Sequence, residues 1–333
     1  MKLLVTGGGG YIGSVASYLL LQSGYELVVI DNYSKGFRQP LEILTKDFEK
    51  KKFRYYKSDL SELHTIFNKE KNFDAVIHYA AFCDVNESIE NPQKYFSNNV
   101  CGSQTLLEQM IDNGIDKLVF SSTSEVYGEA RYMPIDEKHA TSPINPYGAS
   151  KLMVEDIIRW YGKLKNLNYV ILRYFNVCGA SDDGLIGDSK KPSTLLVQNV
   201  VRGALGIEKF YLTCPKVETY DKTPIRDYIN VVDLNLAHMK SLNYLIEGGQ
   251  SNIFNLGTGS GNSVLEIVRS VEKVTGKKIN RKWGKTRKGE PIKKIANIKK
   301  ANTVLKWRPE RTIEDSIESL VKWYSKYPKG WKR

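Results

Sequence analysis

The sequence has little cysteine, little histidine and no spacing that would join them in a metal site. It contains four residues of each type among 333. The cysteines are scattered, without a C-x-x-C pair or a histidine at zinc-binding spacing; they are Cys83, Cys101, Cys178 and Cys214. This pattern argues against a disulfide framework and against structural zinc. We therefore predict reduced thiols, a cytoplasmic location and no bound metal.

The sequence also lacks a long apolar run. In the first ten residues, MKLLVTGGGG, glycine interrupts the apolar residues too early for the apolar region of a signal peptide. No other run approaches the length of about 20 residues that crosses a bilayer. We therefore predict that the protein has no membrane partner.

Acidic residues are fewer than basic ones, which gives a net charge of +12. Lysine and arginine cluster at 46–57 and 273–300, and such clusters are one sign of nucleic-acid binding. However, no zinc-finger spacing, RNP-like aromatic motif or helix-turn-helix signature accompanies them. We therefore predict a solvated basic face, with one or two cations that bind a phosphate, and no nucleic-acid partner.

Short apolar runs alternate with helical patterns through the first half of the chain. Strands are predicted at 2–6, 26–30, 53–57, 74–78, 117–121 and 169–175. Helices are predicted at 11–23, 37–50, 61–70, 92–113 and 146–165. This alternation is typical of an α/β fold with a doubly wound parallel (Rossmann) sheet. Ligands of such folds bind beyond the carboxyl ends of the strands, so we expect the site residues directly after the strands.

The first predicted strand runs into the glycine-rich segment TGGGGYIGS. Gly7, Gly10 and Gly13 allow a tight turn and a close approach of the backbone to a pyrophosphate, which would lie at the N-terminus of the helix 11–23. Asp31 ends the second predicted strand, where a carboxylate accepts hydrogen bonds from an adenosine ribose and repels a 2′-phosphate. This context predicts dinucleotide binding and favours NAD over NADP, although the nearby Lys35 and Arg38 act in the opposite direction.

The segment 144–151, INPYGASK, places Tyr147 and Lys151 four residues apart at the start of a predicted helix. Residues at this spacing share a helical face. A lysine beside a phenol, whose ordinary pKa is about 10, favours the ionised form and could make a base near neutral pH. The bare spacing more often reflects a solvated lysine and a half-buried tyrosine. Tyr161 and Lys165 repeat it on the same helix, without expected chemistry.

The segment 121–128, SSTSEVYG, follows the fifth predicted strand. Hydroxyl groups at the end of a strand can form hydrogen bonds with a reacting oxygen. Serine and threonine also cap loops there, and this segment alone does not decide between the two roles.

In this order, the glycine turn, Asp31, a strand-end threonine and Tyr-x-x-x-Lys resemble the extended short-chain dehydrogenase/reductase superfamily, which acts on nucleotide sugars. Segments of the second half are similar to UDP-glucose 4-epimerases: RYFNVCGA (173–180), RDYINVVDL (226–234), NLGTGSGNSVLEIV (255–268) and RKGE (287–290). The resemblance runs from Met1 to about Pro309. It implies NAD as cofactor, a UDP-hexose as substrate and inversion at C4 through a 4-keto intermediate.

The resemblance also implies roles for individual residues. Tyr147 is the expected acid/base, Lys151 its electrostatic partner and a ribose ligand, and Thr123 the hydroxyl that contacts the sugar O4. The expected cofactor residues are Gly7, Gly10, Tyr11, Ile12, Gly13, Asp31, Asn32, Asp59, Leu60, Tyr79, Ala80, Ala81, Asn98, Ser121, Tyr147, Lys151 and Tyr174. The expected substrate residues are Thr123, Asn176, Leu195, Tyr211, Arg226, Tyr228, Arg287 and Glu290.

Several positions depart from the family pattern on the substrate side. Cys83 stands where the family often has lysine, and Glu290 where it often has aspartate. Lys294 occupies the position at which a small residue leaves room for an N-acetyl group at C2 of the sugar. We expect the long lysine to narrow this room, unless its ammonium turns out to solvent.

Other functions remain open at this point. The sugar could be a UDP-glucuronate or a UDP-N-acetylhexosamine, because the departures affect substrate contacts. A nucleotide-sugar 4,6-dehydratase typically has Asp-Glu after the threonine, whereas Ser124 and Glu125 follow Thr123 here. A non-catalytic NAD-binding sensor or scaffold is a third possibility, which Thr123, Tyr147 and Lys151 argue against.

The resemblance also implies how the chain is organised. We expect an NAD-binding domain at 1–175, to which 226–262 return, and a smaller mixed α/β substrate domain at 176–225 and 263–309. Within the returning segment, the run YINVV (228–232) is predicted as a strand that a helix follows. A C-terminal helix and tail at 310–333 would complete the chain. Relatives pair through the helices equivalent to 92–113 and 146–165, so a homodimer is expected.

Overall fold

A seven-stranded parallel sheet lies at the centre of this protein, in a computed structural model that describes residues 1–191, 193–284 and 291–332. The strands of the described ranges are β1 (Lys2–Thr6), β2 (Glu26–Asp31), β3 (Phe53–Lys57), β4 (Ala75–His78), β5 (Lys117–Thr123), β6 (Asn168–Tyr174), β7 (Asn176–Cys178), β8 (Ile225–Arg226), β9 (Tyr228–Asn230), β10 (Asn252–Leu256), β11 (Asn262–Ser263) and β12 (Lys293–Lys294). The order in the large sheet is β10-β6-β5-β4-β1-β2-β3. The predicted α/β fold class is confirmed.

Helices cover both faces of this sheet and connect its parallel strands. In the described ranges they are α1 (Tyr11–Gln22), α2 (Gln39–Asp47), α3 (Leu63–Lys69), α4 (Val85–Glu90), α5 (Pro92–Tyr95), α6 (Gly102–Asp112), α7 (Pro146–Lys165), α8 (Leu196–Ala204), α9 (Val231–Ile246), α10 (Val264–Thr275), α11 (Lys299–Leu305) and α12 (Ile313–Lys326). Because both faces are covered, the central strands contain consecutive buried apolar residues. In β1, Leu3 and Leu4 are fully buried in two different cores, one on each face of the sheet.

A smaller group of elements lies over the carboxyl ends of the large sheet. Strands β7 and β9 form one short sheet, and β11, β8 and β12 form another. Helices α8, α10 and α12 pack together around a separate core that includes Trp323 and Ile267. The segment that carries α9 and β10 belongs to the large sheet and its helical layer: β10 pairs with β6 at the edge of the sheet, and α9 packs against α1.

The structure corrects some predicted boundaries. The run YINVV was predicted as a strand, but β9 ends at Asn230 and α9 begins at Val231. The reason is local: the Asn230 side chain accepts a hydrogen bond from the backbone of Val232 and caps the helix. The predicted helix at 92–113 is α5 and α6 joined by a π-helix at Phe96–Cys101. In the described part of the chain, no helix is long and apolar enough to cross a membrane.

Candidate active site

A cleft of about 1050 Å³ runs along the carboxyl ends of the parallel strands. Every predicted cofactor, catalytic and substrate residue within the described ranges lines this cleft. Arg287 and Glu290 lie outside the described residues. The structure thus brings together residues from the first turn, around Gly7, to strand β8, which ends at Arg226. By contrast, Tyr161 lies further along α7, outside the cleft lining, and packs against an apolar core.

The glycine turn between β1 and α1 leaves room for a ligand to approach the backbone closely. Gly7 has φ +72°, and a Cβ there would lie 2.6 Å from the backbone nitrogen of Ala80. A Cβ on Gly10 would meet only the Gly7 carbonyl oxygen, at 3.2 Å, and would otherwise fill the cleft itself. Gly10 also begins α1 without a side-chain cap, so the first N–H groups of the helix have no side-chain acceptor. This cradle fits the pyrophosphate of a dinucleotide.

Asp31 is held firmly at the end of β2. Its two carboxylate oxygens accept hydrogen bonds from the backbone of Gly9, at 2.9 Å, and of Tyr33, at 2.7 Å. The two cations that weakened the expectation of NAD already have carboxylate partners. Lys35 pairs with Glu87 at 3.2 Å and Arg38 with Glu42 at 2.9 Å. The acidic residue therefore dominates this end of the cleft, which fits a ribose without a 2′-phosphate.

The N-terminus of α7 presents Tyr147 to the cleft. Asn145 caps the helix by accepting a hydrogen bond from the backbone of Gly148 at 2.8 Å, and Pro146 takes the first helical position as predicted. Asn145 was not predicted as a site residue, although an asparagine directly before such a proline is a common cap. The Tyr147 phenol has Thr123, at the end of β5, as a hydrogen-bond partner.

Lys151 lies one turn further along α7 and is 3% exposed. Its ammonium donates a hydrogen bond to the carbonyl of Ser121 at 2.8 Å and lies 4.7 Å from the centre of the Phe120 ring. Burial lowers the pKa of Lys151 to about 8. The ammonium is therefore charged at neutral pH, but it is easily neutralised in mildly alkaline solution.

The pKa of Tyr147 departs from the sequence-based expectation. Burial raises it well above its ordinary value, the charges of Cys83 and Tyr174 act in the same direction, and the hydrogen bond with Thr123 only partly offsets them. The expectation of a base near neutral pH considered the neighbouring cation but not the loss of water around the phenol. In the protein by itself, Tyr147 is therefore a protonated phenol at neutral pH.

A neutral histidine supports the back of this site. His78 ends β4, and its ring nitrogens form hydrogen bonds with Thr6 at 2.6 Å and Ser103 at 2.8 Å. Burial and the nearby charge of Lys151 lower the pKa of His78 to about 3. The imidazole therefore adds no charge next to Lys151.

An ion pair on the substrate side was not predicted from the sequence. Glu125, two residues after Thr123, accepts a hydrogen bond from Lys294 at 2.6 Å and another from Asn145 at 3.0 Å. Lys294 is 4% exposed, so its ammonium does not turn out to solvent as the sequence reasoning allowed. No sequence signal was available, because the two partners are 169 residues apart.

A second contact crosses the cleft. Lys190 lies 3.3 Å from the carboxylate of Asp84 and 3.1 Å from the hydroxyl of Thr194. Asp84 precedes α4 on the side of the large sheet, whereas Lys190 precedes α8. Both residues line the cleft close to Cys83, and the sequence reasoning predicted neither of them.

A doubly wound sheet that carries a glycine turn, an acidic residue after β2 and a Thr/Tyr/Lys group at one edge defines a short-chain dehydrogenase/reductase. The model of the family described as GDP-mannose 4,6 dehydratase matches residues 4–320. The chain is 40% identical over 335 residues to the UDP-glucose 4-epimerase of Lactobacillus helveticus, with 99% of each chain covered. It is 41% identical over 337 residues to that of Streptococcus mutans, again with 99% of each covered.

Solved structures show the same similarity. The UDP-glucose 4-epimerase from Bifidobacterium longum, crystallised in complex with NAD+ and UDP, superposes with a TM-score of 0.93 at 34% identity. The match covers 99% of this chain and 100% of that one. This chain belongs to the UDP-glucose 4-epimerase family, within the extended short-chain dehydrogenase/reductase superfamily, and the predicted resemblance is confirmed.

Proposed function

We propose that this protein is an NAD-dependent epimerase that inverts C4 of a UDP-hexose, interconverting UDP-glucose and UDP-galactose. The observation that carries the proposal is the junction of two groups in one cleft: the cradle at Gly7 and Gly10 with Asp31, and Tyr147 with Thr123 and Lys151. Membership of the family supports both the reaction and the cofactor. The residues of the cleft fit NAD, which supplies a reversible hydride acceptor when it is bound.

The side chains then have distinct tasks. Tyr147 takes the proton of the C4 hydroxyl and later returns a proton to the same oxygen, with Thr123 holding that oxygen. Because burial raises the pKa of Tyr147, the charge of Lys151 must be joined by the positive charge of oxidised NAD to make the phenol a base. Loss of the O4 proton to Tyr147 and of the C4 hydrogen, as hydride, to bound NAD would leave a 4-keto sugar. This ketone would turn about its diphosphate linkage, so that the hydride would return to the opposite face of C4. General acid–base help of this kind contributes about 100- to 10,000-fold in rate.

The remaining cleft residues are proposed to hold the two ligands. The glycine turn, Asp31 and Asn32 would bind the adenosine diphosphate of NAD. Asn32 donates a hydrogen bond to Asp59 at 2.7 Å, which would hold both residues in place for the adenine. Asn176 and Arg226 would bind the substrate diphosphate, with Arg287 as a second cation. We propose the corresponding division of the chain, with the cofactor held by 1–175 and 226–262 and the sugar nucleotide by 176–225 and 263–309.

Incubation of the purified protein with UDP-galactose tests this function. Formation of UDP-glucose without net consumption of added NAD supports an epimerase. A 4-keto-6-deoxy product would indicate a dehydratase, and no turnover would favour a non-catalytic scaffold. Mass spectrometry of the native protein should find retained NAD, because the cofactor must stay bound through both hydride transfers.

A 4,6-dehydratase is the second candidate, since the matching family model is described by that activity. Elimination of water requires an additional acid beside the sugar. Ser124 replaces the aspartate of the dehydratase pattern, and a hydroxyl is a poor acid. Although burial raises the pKa of Glu125, Lys294 and Asn145 outweigh this effect and leave its pKa below the ordinary value. Glu125 is therefore ionised at neutral pH and cannot supply the acid that Ser124 lacks.

We further propose a cytoplasmic homodimer. On α7, Met153, Trp160 and Leu164 are 47%, 57% and 66% exposed and form one stripe, because they are spaced by seven and four residues. Helix α6 packs beside α7, so the two could form a four-helix interface with a second copy. Light scattering should report a dimer for the unmodified protein and a monomer for Trp160→Glu. A dimer that persists in this variant would contradict the proposed interface.

A further inference from the structure

Glu125 and Lys294 form an ion pair in the wall of the cleft. The side chains are 29% and 5% exposed, and the Lys294 ammonium lies 2.6 Å from one Glu125 oxygen. The other oxygen accepts a hydrogen bond from Asn145. The carboxylate is thus fixed by two different parts of the chain: strand β12 and the cap of helix α7.

The pair lies at the reacting end of the cleft. The backbone N–H of Glu125 donates to the Thr123 hydroxyl at 3.2 Å, and Asn145 caps the helix that carries Tyr147. The charge of Glu125 also contributes to raising the pKa of Tyr147, which shows that the carboxylate and the phenol are electrostatically close. In the proposed function, Thr123 and Tyr147 hold O4, so the sugar carbons beyond C4 would lie in the part of the cleft that this pair lines.

The local charge balance depends on Glu125. Lys294 in β12 is the direct strand partner of Arg226 in β8, so two cations stand side by side in the cleft wall. Burial and the charge of Arg226 both lower the pKa of Lys294, whereas Glu125 raises it. Glu125 therefore offsets part of the positive charge of this wall of the cleft.

We propose that Glu125 is a specificity-determining residue that selects a neutral hexose and disfavours a sugar with a carboxylate at C6. The inference rests on the proposed function, since that function places a hexose beside Tyr147. A C6 carboxylate would have to compete with Glu125 for Lys294 and would be repelled by Glu125 itself. A neutral CH2OH group meets neither cost.

The alternative is that the pair only fastens β12 to the N-terminus of α7. In that case the loss of Glu125 would lower stability and the activity on all sugars by the same factor. The two explanations therefore separate on a ratio: the kcat/KM for UDP-galacturonate divided by that for UDP-galactose. A purely structural role does not change this ratio.

The experiment measures this ratio in the unmodified protein and in Glu125→Gln. Because removal of one partner leaves a buried cation that can lose its proton, a second variant combines Glu125→Gln with Lys294→Arg, whose guanidinium stays charged. Glu87→Gln is the matched control, since Glu87 also lines the cleft and pairs with lysines, namely Lys35 and Lys94. NAD content and melting temperature are recorded for each variant.

The unmodified protein should use UDP-galacturonate at least ten-fold less efficiently than UDP-galactose. The ratio should rise at least ten-fold in Glu125→Gln or in the double variant, and should stay within about three-fold in Glu87→Gln. Equal use of both sugars by the unmodified protein would overturn the proposal without any variant. So would an unchanged ratio in both Glu125 variants, or an equal rise in the Glu87 control.

Failure of the proposed function would look different. If the unmodified protein does not epimerise UDP-galactose, the function is wrong, and the charge selection is then judged by calorimetric binding of the same two nucleotide sugars. Weaker binding of the uronate that is relieved by Glu125→Gln would still support the role of Glu125. Equal dissociation constants in both proteins would refute it.

Discussion

Replacing Tyr147 by phenylalanine tests the chemistry of the cleft most directly. The change removes one hydroxyl group and leaves the ring, which lies edge-on to Tyr95 with ring centres 6.4 Å apart. The Asn145 cap and the Pro146 start of α7 involve other atoms, so the helix should form as before. Lys151 keeps its hydrogen bond to Ser121, which does not involve the phenol. We therefore expect a folded protein that still retains NAD.

The expected loss of activity follows from what the hydroxyl group does. Transfer of a proton by a positioned group contributes about 100- to 10,000-fold, or roughly 3–5 kcal/mol of transition-state stabilisation. His78 stands behind Lys151 as a neutral ring, with both nitrogens in hydrogen bonds, and therefore cannot replace the phenol. We expect kcat for UDP-galactose to fall at least 100-fold in Tyr147→Phe.

The assay measures UDP-glucose formation, together with NAD content and melting temperature. Tyr161→Phe is the control, because Tyr161 lies on the same helix with a lysine four residues later but packs against an apolar core. Its kcat should remain within about two-fold of the unmodified protein. Equal losses in the two variants, or a Tyr147→Phe enzyme that stays active with NAD bound, would refute the reasoning.

Three further predictions concern other parts of the cleft. Asp31→Ala should weaken the binding of NAD about ten- to 100-fold and narrow its advantage over NADP, since charged hydrogen bonds contribute about 1.5–3 kcal/mol. Reconstitution with each cofactor measures the two affinities, and an unchanged preference for NAD would contradict the role of Asp31. Lys294→Ser should improve the use of UDP-N-acetylgalactosamine relative to UDP-galactose by about ten- to 200-fold, the range that pocket size supplies; no improvement would contradict the narrowing role of Lys294. His78 has a folded pKa of about 3, below its ordinary value of 6.5, so the unfolded chain binds the extra proton first and stability falls as the pH drops through this window. Between pH 6.5 and 4.5, the unmodified protein should lose roughly 2–3 kcal/mol more of its unfolding free energy than His78→Asn loses. Denaturant unfolding measures this free energy at each pH, and curves of stability against pH that run parallel in the two proteins would contradict the assignment.

The fold could be predicted from the sequence because the patterns that indicate its strands and helices are local. Each strand of the large sheet up to β6 coincides with a predicted strand to within two residues, and α7 begins at Pro146 and ends at Lys165 as its pattern predicts. The boundary at Asn230 was missed because one capping side chain outweighed the β-propensity of the two valines that follow. The π-helix at Phe96–Cys101 was missed because it has six residues, which are too few for a sequence pattern to distinguish the period of a π-helix from that of an α-helix.

The candidate site was predictable to a similar extent. Residues at the ends of parallel strands meet at one edge of the sheet wherever the strands stand in the sequence, so Gly7, Asp31 and Thr123 could be placed together in advance. The resemblance then supplied Tyr147 and the substrate residues. The electrostatic state of the site could not be read in the same way.

The sequence by itself determined the doubly wound sheet, the glycine cradle and the identity of the residues around the cleft. Only the tertiary structure decided how those residues are charged and paired. Burial, which depends on every neighbour in space, raises the pKa of Tyr147 and lowers that of Lys151 to about 8. The partners Glu125 and Lys294 are brought together by the packing of β12 beside the cap of α7. Pairing of this kind depends on distances between distant parts of the chain, and a linear pattern of residues does not contain those distances.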